Sequence, residues 1–275
     1  MLSRILVPTD LSHESNSVLP WGVTVAQAFG AKLYLLHVMS PNSVNEPERL
    51  EDFPHLSRIF AAERGAADMP PLKASVPVAK MYLYHKSAAK VILDTAKSKQ
   101  VELICLAATN NGVNFAWWSA GKTIEHIVKN APCSVLCLRG QPTKEKDWKR
   151  PRFRHVLLLA EMNPHGISPV TKLMPWIERF NSMLHIFPLH SSKLKETGEQ
   201  STLREICQLD AARTNVLLFN KPHNRIENLL NFIGETPIDL IVMTPRTRAA
   251  FSNRLVSDIF VRLLRVTASP ILLLR

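Results

Sequence analysis

Short apolar runs alternate with helix-patterned stretches along the whole chain. Arg4–Val7 predicts a buried strand, and Glu14–Phe29 sets Val18, Leu19, Val23, Ala26 and Phe29 at helical spacing. Lys32–Met39 predicts a second strand, Asn45–Ala67 a partly helical stretch broken at Pro54, and Leu72–Ala79 a third strand. Ser87–Lys99 is helical, Glu102–Ala107 a fourth strand, Gly121–Asn130 a short helix and Ser134–Arg139 a fifth strand. The rest of the chain repeats this rhythm. Its predicted strands are Arg154–Ala160, Leu184–Leu189, Thr214–Phe219, Ile238–Met243 and Pro270–Leu274. Its predicted helices are Ser168–Phe180, Glu199–Ala212, Arg225–Ile233 and Arg254–Val266. Continuous apolar strands alternating with helices imply α/β domains, each with a parallel sheet covered on both faces.

The pattern also occurs twice at the level of residues. Arg-Ile-Leu-Val-Pro-Thr-Asp10 corresponds to His-Val-Leu-Leu-Leu-Ala-Glu161, and Glu-Leu-Ile-Cys-Leu106 to Asp-Leu-Ile-Val-Met243. Ser-Val-Leu-Cys-Leu-Arg139 corresponds to Pro-Ile-Leu-Leu-Leu-Arg275. A period of roughly 135 residues exceeds any solenoid unit and is the size of a domain. The sequence therefore predicts a first domain over 1–140, a basic linker over 141–153 and a second domain over 154–275. The linker is polar with a proline near each end, and its Trp148 is expected to cover a domain surface.

Composition changes this picture little, but charge adds to it. No apolar stretch approaches the ~20 residues of a membrane span, and no signal-peptide pattern opens the chain, so the expected compartment is the cytoplasm. Cys105, Cys133, Cys137 and Cys207 sit in or beside apolar runs without a C-x-x-C pair, which predicts buried thiols. The net charge is +11. Residues 1–140 hold 14 Lys/Arg against 11 Asp/Glu, and residues 141–275 hold 20 against 12. Such an excess attracts polyanions or acidic proteins, or else solvates the surface.

In open parallel sheets, ligands bind beyond the carboxyl ends of the strands. That directs attention to Pro8–Ser12, His37–Ser40 and Ala107–Gly121. His13, His37, His85 and His126 lack metal-ligand spacing, and His37, ending an apolar run, is expected to be a hydrogen-bonded structural residue. Met81–His85 carries aromatic residues that suit a domain edge or a stacked base. No Gly-x-Ser-x-Gly and no spaced carboxylate pair points to hydrolysis. Ala116–Thr123 fits the P-loop pattern [AG]-x4-G-K-[ST]. A P-loop must follow its strand directly on a flexible backbone, whereas this strand ends near Ala107 and Trp117 and Trp118 fill the cradle.

Taken in order, Ile-Leu-Val-Pro-Thr-Asp10, Leu-Leu-His-Val38, Glu-Leu-Ile-Cys-Leu-Ala107 and Ala-Pro-Cys-Ser-Val-Leu-Cys-Leu resemble the universal stress proteins. The resemblance covers residues 3–139 and, more loosely, 154–275, as in tandem members of that family. It implies two doubly wound five-stranded parallel sheets of order 3-2-1-4-5, paired through their closing strands as an intramolecular pseudo-dimer. It also implies an ATP site, with an aspartate after the first strand, backbone near the end of the second, and a loop Gly-x-x-Gly-x9-Gly-(Ser/Thr) after the fourth. In such loops glycines let backbone N–H groups approach an anion, and the next helix adds its positive end.

Transferred residue by residue, the candidate nucleotide site is Asp10, Val38, Ala107, Asn110, Gly121, Lys122 and Thr123. Ala107 and Asn110 stand where the first two glycines belong, ten residues separate Asn110 from Gly121, and Lys122 replaces Ser/Thr. Thr123 follows. In the second domain Glu161 replaces the aspartate, and Thr244, Thr247, Ser257 and Asp258 match none of the loop positions. The expected function is thus a non-enzymatic regulatory protein with largely degraded ATP motifs, acting through protein contacts. Two alternatives stand beside it. One is a sensor that binds ATP or a related nucleotide weakly through the first domain. The other is a basic scaffold that docks on a polyanion through Arg246, Arg248, Arg150, Arg152 and Arg154. A higher homo-oligomer is compatible with each.

Overall fold

The computed structural model describes residues 2–39, 76–108, 122–140, 149–160, 167–188, 214–216, 225–244, 260, 262–264 and 266–275. The chain divides into two compact units, Met1–Pro151 and Arg152–Arg275.

The first unit contains β1 (Arg4–Thr9), α1 (His13–Asn16), α2 (Leu19–Phe29), β2 (Lys32–Met39) and β3 (Val78–Tyr84). α3 (Ala88–Ser98), β4 (Leu103–Ala108), α4 (Lys122–Asn130) and β5 (Ser134–Arg139) follow. The strands run in the order β3-β2-β1-β4-β5, all parallel. The second unit contains β6 (His155–Ala160), α5 (Ile167–Phe180), β7 (Met183–Pro188), β8 (Thr214–Val216), α6 (Arg225–Glu235), β9 (Leu240–Met243) and β10 (Ile271–Leu273). Its order is β8-β7-β6-β9-β10, again parallel, so each unit has the predicted 3-2-1-4-5 arrangement.

The cores follow from the strand sequences. Ile5, Leu6 and Val7 of β1, Leu103, Ile104 and Cys105 of β4, and Val135, Leu136 and Cys137 of β5 are fully buried. Side chains alternate between the faces of a strand, so burial at consecutive positions means that both faces are covered. In the second unit Val156–Leu159 and Leu240–Met243 are buried in the same way, and Phe153, Trp176 and Phe180 form an aromatic cluster beside them. Cys105, Cys133 and Cys137 are buried free thiols; burial raises the Cys105 thiol, with the charge of Cys133 adding to it, and pushes Cys137 up to about 12. Cys207 lies outside the described residues.

Several boundaries depart from the sequence pattern. The predicted helix Glu14–Phe29 is two helices. Ser12 caps the four-residue α1, the chain turns at Ser17–Val18, and Pro20 sits in the first turn of α2, where a missing N–H costs nothing. The third strand is Val78–Tyr84, not Leu72–Ala79. Val76 and Pro77 precede it without strand structure, although the Pro77 carbonyl accepts the Leu33 N–H (2.8 Å). As an edge strand, β3 leaves Val78, Leu83 and Tyr84 exposed, so it lacks the continuous apolar signature used to find its neighbours. In the second unit β9 begins at Leu240, not Ile238, and β10 is only Ile271–Leu273. The expected helices over 45–67 and 199–212, and Trp148, lie outside the described residues. Among the described residues no helix is long and apolar enough to cross a membrane.

Candidate functional site

The carboxyl end of the first sheet is built around the turn that follows β1. Thr9 closes the strand, and Leu11 takes a left-handed backbone (φ 67°), unusual for a branched side chain. The strain is met by local bonds. Thr9 Oγ1 accepts the Leu11 N–H (2.8 Å) and donates to Asn16 Oδ1 (2.6 Å), while Ser15 Oγ lies 2.9 Å from it. Thr9, Ser15 and Asn16 are all buried, so this hydroxyl–amide knot fixes α1 against the strand end.

Asp10 stands exposed above the knot. Its Oδ1 accepts from both the Ser12 N–H (3.0 Å) and the Ser12 hydroxyl (2.6 Å). Burial alone would raise its carboxyl. Hydrogen bonds from the Ser12 and Ser15 side chains and from the Ser12 and Asp10 backbone outweigh that and hold it below the usual aspartate range. Asp10 is therefore an anion at neutral pH, with one oxygen already committed to Ser12.

The next strand buttresses this turn. His37 is buried, and its Nδ1–H donates to the Thr9 carbonyl (2.8 Å), which fixes the tautomer because a carbonyl only accepts. Tyr82 of β3 meets the ring edge-on, at 6.4 Å between centroids. This is the structural histidine that the sequence predicts. Val38, the next residue of β2, is partly exposed and pairs with Leu83.

On the other side of β1, β4 runs to Ala108. Ala107 pairs with Leu138 and Ala108 with Arg139, and the Ala108 carbonyl accepts the Gly140 N–H (2.9 Å). A side chain at Gly140 would place its Cβ 3.0 Å from the Glu14 carbonyl and 3.1 Å from that of Ala108. A larger residue there would require α1 or the end of β4 to give way by a few tenths of an ångström.

Of the sequence-predicted site residues, Asp10, Val38 and Ala107 thus lie at the same carboxyl edge of one parallel sheet. Lys122 opens α4 and Thr123 lies in its first turn. Asn110 and Gly121 lie outside the described residues, as do Glu161, Thr247, Ser257, Asp258, Arg246 and Arg248. In the second unit Thr244 follows β9 and is buried. Arg152 and Arg154 are exposed ahead of β6, and Arg150 is partly buried. Among the described residues no three His, Cys, Asp or Glu side chains group as metal ligands. Ser12, Ser15, Asn16 and Gly140 were not singled out from sequence. The spacing Asp10-x-Ser12-x-x-Ser15, a capping pattern just after a strand, is the signal that could have found the first three.

Comparison with known proteins agrees with this architecture. The model of the universal stress protein family matches residues 1–139. A universal stress protein from Archaeoglobus fulgidus is similar over 99% of this chain and 96% of its own, with 16% identity and a TM-score of 0.65. A putative universal stress protein from Pseudomonas aeruginosa is similar over 99% of this chain and 93% of its own, with 15% identity and a TM-score of 0.64. A universal stress protein solved in complex with cAMP covers 51% of this chain and 98% of its own, at 15% identity and a TM-score of 0.39. The family match spans half the chain and coincides with the sheet whose carboxyl edge carries Asp10, Val38 and Ala107, so the chain belongs to the universal stress protein family.

Proposed function

We propose that this chain is a non-enzymatic stress-response regulator that acts by contact with an acidic protein partner, its nucleotide loop being degraded. The observation that carries this reading is the state of the end of β4. Ala107, at the first glycine position of the family loop, is a strand residue paired with Leu138, and Gly140 closes the next residue. Backbone committed to a sheet ladder is not free to wrap a phosphate. Asp10, the residue matching the family's base contact, has a carboxylate oxygen already taken by two donors of Ser12. An acidic partner is favoured by the net charge of +11 and by the exposed Arg152 and Arg154.

Calorimetry of the full chain with ATP and ADP tests the reading. No heat at millimolar nucleotide, together with salt-sensitive capture of a protein by the immobilised chain, supports it. Saturable heat at micromolar nucleotide overturns it.

A second reading, a weak nucleotide sensor in the first unit, is favoured by one observation. Asp10 remains exposed and ionised at the same sheet edge as Val38 and Ala107. Under that reading Asp10→Ala and Lys122→Ala each weaken ATP roughly ten- to a hundredfold, the equivalent of losing a charged hydrogen bond.

A further inference from the structure

The second unit contains a pair of histidines with no counterpart in the first. His155 opens β6 and His185 lies within β7, on neighbouring parallel strands. His155 Nδ1 is 3.0 Å from His185 Nε2, with the rings 5.3 Å apart between centroids and inclined by 23°. Phe232 of α6 covers the His185 ring, at 5.5 Å between centroids. His185 is only 6% exposed, and its remaining nitrogen, Nδ1, is buried without a hydrogen-bond partner among the described residues. The Arg4 and Tyr34 positions that match them in the first unit carry no such pair.

The proton count of this pair is restrictive. A single hydrogen bond between two imidazoles needs one N–H and one bare nitrogen facing each other. One extra proton on the pair still leaves a single N–H facing a bare nitrogen, so the hydrogen bond survives. A second would put N–H against N–H and a second positive charge on a ring enclosed by Phe232. Among the described residues no carboxylate is bonded to either ring. Asp239, ahead of β9, has its Oδ2 on the His155 backbone N–H (2.9 Å), and Glu227 and Glu235 of α6 are exposed. Among the described residues His155 is the one charge that acts on His185, and it repels.

We propose that the His155–His185 pair is an acid-sensing latch: the pair takes up its second proton only by opening, and opening parts Phe232 of α6 from His185 of β7 and uncovers Leu229. Leu229 is buried in the closed state. The geometry is matched by the titration of the buried ring. Burial, and then the His155 charge, hold His185 at about 4, well under the ordinary histidine value of 6.5. In the opened state the ring recovers its ordinary affinity for protons. The closed state is therefore favoured in full above pH 6.5 and is weakened as pH falls toward 4. Each pH unit in that window shifts the balance about tenfold toward the open form, the linkage for one proton.

Hydrogen exchange on the full chain, expressed as protection factors, tests the latch between pH 7.5 and 5, above the range where carboxylates titrate. Amides of β7 and α6 should lose roughly tenfold protection per unit below about pH 6.5, while those of β1 and β4 do not change. His185→Phe, which replaces the buried imidazole by an apolar ring, should abolish the dependence. Equal pH dependence in the variant overturns the proposal. Imidazole NMR of the unmodified chain decides the matter independently of whether the variant folds. A His185 ring that stays neutral to pH 5 while α6 loses protection supports the latch, and one that titrates near 6.5 in the folded chain overturns it.

Discussion

The Nδ1–H of His37 donates to the carbonyl of Thr9, joining the carboxyl ends of β1 and β2 directly beneath Asp10. The bond is buried, so its loss removes a hydrogen bond that water cannot replace, although the Thr9 carbonyl keeps its place in the β1–β2 ladder. His37→Leu should destabilise the chain by about 0.5–1.5 kcal/mol, the net contribution of one hydrogen bond. His37→Asn, whose amide can donate from near the Nδ1 position, should recover part of that loss. Urea unfolding of both variants measures it. Equal stability of the two would show that packing against Tyr82, not the hydrogen bond, is what His37 contributes.

Two closely packed glycines make a paired prediction. A Cβ at Gly22 of α2 would lie 2.9 Å from Val7 Cγ2, and Val7 is fully buried and β-branched, so it cannot swing away. Gly22→Ala should cost about 1–3 kcal/mol through overpacking, more than the helix propensity it gains. At Gly140 the neighbours are backbone carbonyls of Glu14 and Ala108. Gly140→Ala should therefore move α1, seen as amide shifts over 10–17 by NMR, whereas Gly22→Ala shifts β1 near Val7. Unchanged spectra at 10–17 would mean that the end of β5 yields in place of α1.

How far the sequence discloses such features depends on which kind of signal carries them. Central strands such as β1, β4 and β5 are buried on both faces, and their unbroken apolar runs reveal them. The edge strand β3 is exposed at Val78, Leu83 and Tyr84, and the pattern mislocates it. Asp10 is visible because its strand recurs at residues 155–161. The knot of Thr9, Ser15 and Asn16 is not, because hydroxyl and amide residues after a strand are common in turns of many kinds. The His155–His185 contact joins residues thirty apart on adjacent strands, and only the register of β6 on β7 brings them together.

Glu102 predicts an acid response of the first unit. Its Oε2 accepts from the Ser3 N–H (2.6 Å), the Ser3 hydroxyl (2.6 Å) and the Arg4 N–H (3.1 Å), tying the start of β1 to β4. Burial would raise the carboxyl, but these three bonds and the N-terminal charge outweigh it and hold it below the ordinary value of 4.5. The folded pKa is the lower one, so the stabilisation is complete above pH 4.5 and disappears as pH falls through the folded value. Glu102→Gln should cost about 1 kcal/mol at pH 7, a figure kept small because the group is partly solvated. The same variant should be nearly as stable as the parent near pH 2. A deficit that persists undiminished at pH 2 would assign the effect to shape rather than charge. Asp239 makes the matching bond to His155 in the second unit, so Asp239→Asn should loosen β6 from β9 in the same manner.

The proposed acidic partner can be tested through Arg152 and Arg154. Both are exposed, and they flank Phe153, which is buried against Trp176 and Phe180 and keeps this stretch in place. The reversals Arg152→Glu and Arg154→Glu together change the local charge by four without touching that aromatic anchor. Exposed charges contribute little to folding, so the unfolding free energy should stay within about 0.5 kcal/mol of the parent. Association is another matter, because like charges at a docking surface both slow encounter and repel the partner. The double variant should lose a captured acidic protein at least tenfold at 50 mM salt, and the difference from the parent should shrink as salt rises. Capture that is equally strong and equally salt-dependent in both would remove these arginines from the interface.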